Sequence, residues 1–150
     1  LIPVVTSMKY TQTNEQMLAS TIDRSRTFQA AEAALVEAES YAATNPTFPT
    51  TGCSAGLCGL PSGAPPWKDN ATFWTSGPTR TASSFTDGVT SKYIVEFLGM
   101  STGETDDCTT SGDVSPDATC EEQTARYRIT VFSKSNSNAE VFLQSNLLAP

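Results

Sequence analysis

The longest stretch of the chain without Gly or Pro runs from about Thr6 to Thr44, and its pattern is helical. Phe28, Ala31, Leu35, Ala38 and Ala42 step by 3, 4, 3 and 4, which places them on one helical stripe. The segment 28–43 is rich in Ala, Glu and Leu, all strong helix formers. Asn45-Pro46 then ends it, because a residue before Pro is pushed out of the helical region. The earlier half reads differently. Its large apolar residues Met8, Tyr10, Met17, Leu18 and Ile22 are sparse, separated by Thr, Asn, Gln and Ser. Such a stripe is too narrow to sit deep in a globule. At 1.5 Å per residue, about forty helical residues span roughly 60 Å, whereas a compact domain of this length is roughly 40 Å across. The first half of the helix is therefore expected to project and to pack against something other than its own domain.

Three later segments alternate with period two and predict strands. In Lys92 to Leu98, Tyr93, Val95 and Phe97 oppose Lys92, Ile94 and Glu96; in Arg126 to Ser133, Tyr127, Ile129 and Val131 oppose Arg126, Arg128 and Thr130. Glu140 to Asn146 sets Val141 beside Leu143, and Ser135-Asn136-Ser137-Asn138 supplies a hairpin turn. Alternation of this kind implies one buried sheet face, and the Phe28–Ala42 stripe is the available cover. The expected fold is α+β: a long N-terminal helix on an antiparallel sheet of three to four strands, in a single domain over residues 1–150. Residues 1–44 form the helix. Residues 45–91, which hold most of the Pro and Gly, form a connecting loop region with one short strand at Ala71 to Thr75, and 92–150 form the sheet.

Composition narrows the chemistry. Nine basic against sixteen acidic residues give a net charge of -7, which argues against a nucleic-acid surface. The absence of His removes His-based triads, His-ligated zinc and a histidine pH switch. Ser and Thr supply more than a quarter of the chain, in keeping with many turns and exposed strand faces. Four cysteines, Cys53, Cys58, Cys108 and Cys120, lie at loop positions without zinc-like spacing or basic neighbours, and read as two disulfides of an exported protein. Three connectivities are possible. Nearest-neighbour pairing, Cys53–Cys58 and Cys108–Cys120, is favoured because each pair sits within one loop, and closing the second would add roughly 3 kcal/mol.

The region between Gly99 and Cys120 is acidic, and Asp106, Asp107, Asp113 and Asp117 are weak candidates for calcium, since they lack the spacing of an EF-hand. No pair of carboxylates stands out for glycoside hydrolysis, and no glycine pattern suggests a phosphate loop. Trp67 and Trp74 suit either a sugar-stacking surface or core filling. Asn70-Ala71-Thr72 is a glycosylation sequon by text alone. No catalytic set emerges. Leu1-Ile2-Pro3-Val4-Val5 is apolar yet far short of about 20 residues, and reads as the end of an upstream membrane segment.

The helix text, Arg24-Ser25-Arg26-Thr27-Phe28-Gln29-Ala30-Ala31-Glu32-Ala33-Ala34-Leu35 ending in Ala38-Glu39, resembles the PilX family of type IV pilus minor pilins. Asn14-Glu15-Gln16-Met17-Leu18-Ala19 is similar to the family's approach to that motif. Lys92-Tyr93-Ile94-Val95-Glu96-Phe97-Leu98-Gly99 is similar to a family strand, and Tyr127-Arg128-Ile129-Thr130 with Val141-Phe142-Leu143-Gln144-Ser145 to its closing hairpin. Residues 45–91 and the acidic loop are not covered. Thr27 stands where Ala or Leu is usual, and Ser135 to Asn138 replace a Gly-rich turn.

The resemblance implies a pilin-like fold and a non-enzymatic subunit that waits in the inner membrane, held by an upstream helix. It then joins other minor pilins and the major pilin in priming the fibre near its tip, with a large tip adhesin as a further partner and a role in adhesion. On that reading Met8, Tyr10, Met17, Leu18 and Ile22 face neighbouring subunits, while Phe28, Ala31, Leu35 and Ala38 face the sheet. The soluble domain is periplasmic and then exposed on the pilus. A type II secretion pseudopilin is the nearest alternative, and a soluble carbohydrate-binding module using Trp67 and Trp74 is the alternative from another class.

Overall fold

The structure, a computed structural model, describes residues 2–83, 87–102 and 123–149. Helix α1 is continuous over Ile2–Ala43, 42 residues. Asn45 caps it with a left-handed backbone (φ 54°), donating its N–H to the Ala42 carbonyl at 3.2 Å. Pro46 follows, and the helix ends where the Asn-Pro pair requires. The helix lies across three long strands: β4 (Val89–Thr102), β5 (Gln123–Ser135) and β6 (Glu140–Ala149). These form an antiparallel meander in which Tyr93 pairs with Val131 and Val131 with Leu143. A bulge between Phe97 and Gly99 shifts the register near the far end of β4.

Alanine governs the helix–sheet contact. Thr27, Ala30, Ala31, Ala34, Ala38 and Ala42 are fully buried, and Ala31, Ala34, Ala38 and Ala42 pack with Tyr93, Val95, Tyr127, Ile129 and Val131 of the sheet. Side chains without a γ-carbon let the helix axis come close to the strands. Leu35 is partly buried against this layer. Phe28, expected on the same stripe, is instead 43% exposed. At about 100° per residue Phe28 stands roughly 100° from Thr27, and Thr27 holds the buried position, its hydroxyl donating to the Asp23 carbonyl at 2.8 Å.

The connection between α1 and β4 is not a plain loop. It builds β1 (Cys53–Ser54), β2 (Leu57–Cys58), α2 (Phe73–Ser76) and β3 (Arg80–Thr81). The short strand expected at Ala71 to Thr75 is thus a turn of helix. β1 and β2 form a miniature hairpin around Ala55 (φ 49°) and Gly56 (φ 84°), the pair of positive φ values that a tight hairpin turn requires. Glycine is needed at 56 for a second reason: an added Cβ would stand 2.5 Å from the Arg80 Cβ. β2 then pairs parallel with β4, Leu57 against Val95 and Cys58 against Glu96, while β3 pairs antiparallel on the same edge. The described sheet has six strands, mostly antiparallel, rather than three or four.

This excursion covers the second face of the sheet. Ile94 is fully buried beneath Cys58, Phe73 and Trp74, with Trp67 and Phe132 alongside. The single buried face implied by strand alternation is therefore half of the picture, since Ile94, Glu96 and Thr130 are buried on the opposite side from Tyr93 and Val95.

Candidate assembly surface

In the first half of α1, Met17, Leu18 and Ile22 are each more than half exposed. Their angular position is informative. At 100° per residue, Leu18 and Ile22 lie roughly 150–170° around the axis from the centre of the buried Thr27–Ala42 stripe, and Met17 roughly 70°. Positions that continue the buried stripe toward the N-terminus carry Gln16 and Ser20, both exposed. The apolar side of the helix thus changes along its length, and the projecting half turns Leu18 and Ile22 away from the direction of its own sheet. Met8 and Tyr10 lie in the same continuous helix; their side chains fall outside the described residues. No helix of the described residues is long and apolar enough to cross a membrane.

Where α1 leaves the sheet, Ser20, Thr21, Arg24, Ser25, Phe28 and Val141 line an open groove of roughly 590 Å³. The half-exposed Phe28 is the apolar wall of that groove. Just beside it, polar contacts tie the helix to the closing hairpin. Ser135 Oγ donates to Asp23 Oδ2 at 2.9 Å and accepts the amide N–H groups of Ala139 and Ser137 at 3.0 and 3.2 Å. One hydroxyl thereby holds both the turn and its distance from α1. Ser91 and Ser133 share a hydrogen bond of 2.6 Å in the buried layer nearby.

Further along, Glu37 accepts the Ser83 amide N–H at 3.0 Å, anchoring the excursion to α1. The Arg80 guanidinium stands 4.0 Å above the Tyr41 ring, a cation–π contact worth about 0.5–1 kcal/mol. Burial pushes the Tyr93 phenol above its ordinary pKa of 10.0; Arg80 opposes that shift, and Glu37 and Tyr41 add to it.

The outer face holds the most strongly organised charge. Glu96 is 1% exposed, and Arg128 grips it through two parallel bonds, Nε to Oε1 at 3.1 Å and Nη2 to Oε2 at 2.8 Å. That hydrogen bonding holds the Arg128 guanidinium above its already high pKa. Glu96 and Arg128 are direct cross-strand partners. Alternation put Glu96 and Arg128 on the strand faces opposite Tyr93 and Tyr127, but neither their pairing nor its burial was legible in the sequence.

Cys53 and Cys58 are disulfide-bonded (S–S 2.05 Å), which closes the β1–β2 hairpin against β4. Cys108, Cys120 and the calcium candidates Asp106, Asp107, Asp113 and Asp117 lie outside the described residues. Among the described residues no group of three or more His, Cys, Asp or Glu side chains is placed to hold a metal ion. Trp74 is buried edge-on to Phe73 and against Phe132 and Phe142, and Trp67 lies against Phe142. Both indole N–H groups are buried without a partner among the described residues. Trp74 is a core side chain, so the two tryptophans do not form an open sugar-stacking platform.

Compared with known proteins, the chain matches the family model described as type IV pilus assembly protein PilX C-term, over residues 24–149. No curated protein and no solved structure matches it.

Proposed function

The chain belongs to the PilX family of type IV pilus assembly proteins, and from that premise we propose that it is a minor pilin which primes the fibre together with other minor pilins, near the pilus tip. Family membership carries the coarser statement, that the protein takes part in type IV pilus assembly alongside other pilus components, in the periplasm or at the cell surface. The finer reading rests on one observation: Met17, Leu18 and Ile22 stand exposed on the projecting half of α1, with Leu18 and Ile22 on the side turned away from its buried stripe. Leaving three large side chains in water forgoes about 1.5–3 kcal/mol each, and a bundle of neighbouring helices recovers it. In this reading Met8 and Tyr10 join the same contact, an upstream helix holds the protein in the inner membrane before assembly, and the 45–91 and 100–122 regions face a large tip adhesin.

The test is Ile22→Asp in the full-length gene, with surface pili counted by electron microscopy. Piliation should fall at least tenfold while the melting temperature of the purified domain stays put, because Ile22 is exposed in the monomer. Normal piliation in that strain would sink the proposal. Loss of protein secretion with pili intact would move the protein to a type II secretion machine.

A further inference from the structure

We propose that the free edge of β6 and the arginine-bearing trough beside it form a docking site for an extended, acidic peptide segment of a partner protein, added as a further strand. The first observation is the edge. β6 pairs with β5 over Glu140–Ala149, and among the described residues no strand pairs with its other side. The hairpin sets the phase. Ser135 N–H donates to the Ala139 carbonyl at 2.9 Å, so by alternation Val141, Leu143, Ser145 and Leu147 direct their N–H and C=O groups at β5. Phe142, Gln144, Asn146 and Leu148 direct theirs outward. Exposed edges are ordinarily guarded by charge, proline or a bulge. From Val141 to Ala149 there is no charged residue and no proline, and the β5–β6 register is unbroken.

The second observation is the trough. Leu98, Arg126, Arg128, Gln144, Asn146 and Leu148 help line a depression of roughly 460 Å³ on the outer face, flush with the β6 edge. The excursion that clothes this face over Ile94 and Phe132 stops short of it, and Leu148 is 63% exposed. Arg128 is already neutralised by Glu96. Arg126 is exposed, and no partner for its guanidinium is found among the described residues. On a chain of net charge -7, Arg126, which faces Leu148 across the strands with Asn146 on the diagonal and whose guanidinium has no partner among the described residues, is a local reversal of sign. It matches a carboxylate, which can take bidentate bonds from the guanidinium and a further N–H from the neighbouring Asn146 amide. Backbone pairing at the edge supplies affinity, and the trough selects which side chain points inward.

The test measures fluorescence anisotropy of labelled ten-residue peptides against the purified chain. Three peptides alternate valine with glutamate, glutamine or lysine. The glutamate peptide should bind at least tenfold more tightly than the lysine peptide and weaken with added salt. Arg126→Glu should cost at least tenfold for the glutamate peptide. Asn146→Pro removes an outward N–H while leaving the β5 ladder intact, so it should abolish binding with secondary structure unchanged. No binding of the glutamate peptide to the unsubstituted chain, equal affinity for all three peptides, or full binding by Asn146→Pro would each overturn the proposal. Arg126 is exposed and outside both cores, so its variant remains informative should Asn146→Pro fail to fold.

Discussion

The two faces of the sheet are packed by opposite means. The face beneath α1 is closed by the smallest side chains, fully buried alanines over β-branched and tyrosine residues. The outer face is closed by the largest, Trp67, Phe73, Trp74 and Phe132 packed around Ile94, with the Phe73 and Phe132 ring centroids 5.2 and 5.5 Å from that of Trp74. A straight rod can settle closely on a sheet only if its side chains are short, whereas an irregular loop leaves wider gaps that aromatic rings fill. The inner face should therefore resist enlargement, and the outer face should resist truncation.

The largest effect expected is on the outer face. Trp74→Ala removes the ring that touches Phe73, Phe132 and Phe142, and should cost about 3–5 kcal/mol in chemical denaturation. A cost below about 1 kcal/mol would mean that the excursion is not a true second core. Next comes the buried charge. Arg128→Met leaves Glu96 without its partner and should cost about 3 kcal/mol, whereas Arg128→Met with Glu96→Leu should recover most of it. A double variant no better than the single would show that Arg128 acts by packing alone.

The complementary prediction on the inner face is Ala38→Leu, where three extra heavy atoms have no space and about 1–3 kcal/mol should be lost. The same substitution at Ala19, an exposed position of α1, should be close to neutral, and equal effects at the two sites would contradict the close helix approach. Ser135→Ala deletes the hydroxyl shared by the turn and Asp23 and should cost about 1–2 kcal/mol, with hydrogen exchange quickening at Ser137 and Ala139.

The smallest effect is on pH. Burial raises the folded-state pKa of Tyr93 above 10.0, so the unfolded chain releases this proton first. The stability it contributes is complete below about pH 10 and declines as pH rises above it. Tyr127 is shifted in the same direction for the same reason. Tyr93→Phe should flatten the alkaline fall in melting temperature and leave neutral pH unaffected apart from the lost hydroxyl contact with Arg80. An unchanged alkaline slope would assign the fall to other groups.

Much of the architecture was legible because its causes are local. Asn45-Pro46 terminates a helix whatever surrounds it, and period-two alternation marks β4, β5 and β6 from a handful of residues each. The Ser135–Asn138 turn carries its own chemistry, with Asn138 taking a left-handed backbone (φ 69°). Phe28 shows where local reading fails. A 3–4 spacing places it within a turn of the core stripe, yet only the position of the sheet selects which edge of that stripe is buried. Trp67 and Trp74 show the same limit. Their identity says that a large surface will be covered, but not whether a ligand or the chain itself covers it.

The amino-acid sequence by itself determined the long helix and its stop, the three principal strands, the closing turn and the family to which the chain belongs. Tertiary structure alone decided that the 45–83 segment returns as β2, parallel to β4, to make a second buried face. It alone sealed Glu96 under Arg128 and left the outer face around Arg126 and the β6 edge without cover among the described residues. The division follows from range. Caps, turns and alternation are written within a few residues, whereas which face becomes buried depends on contacts between residues some forty positions apart, such as Leu57 with Val95, which no local pattern encodes.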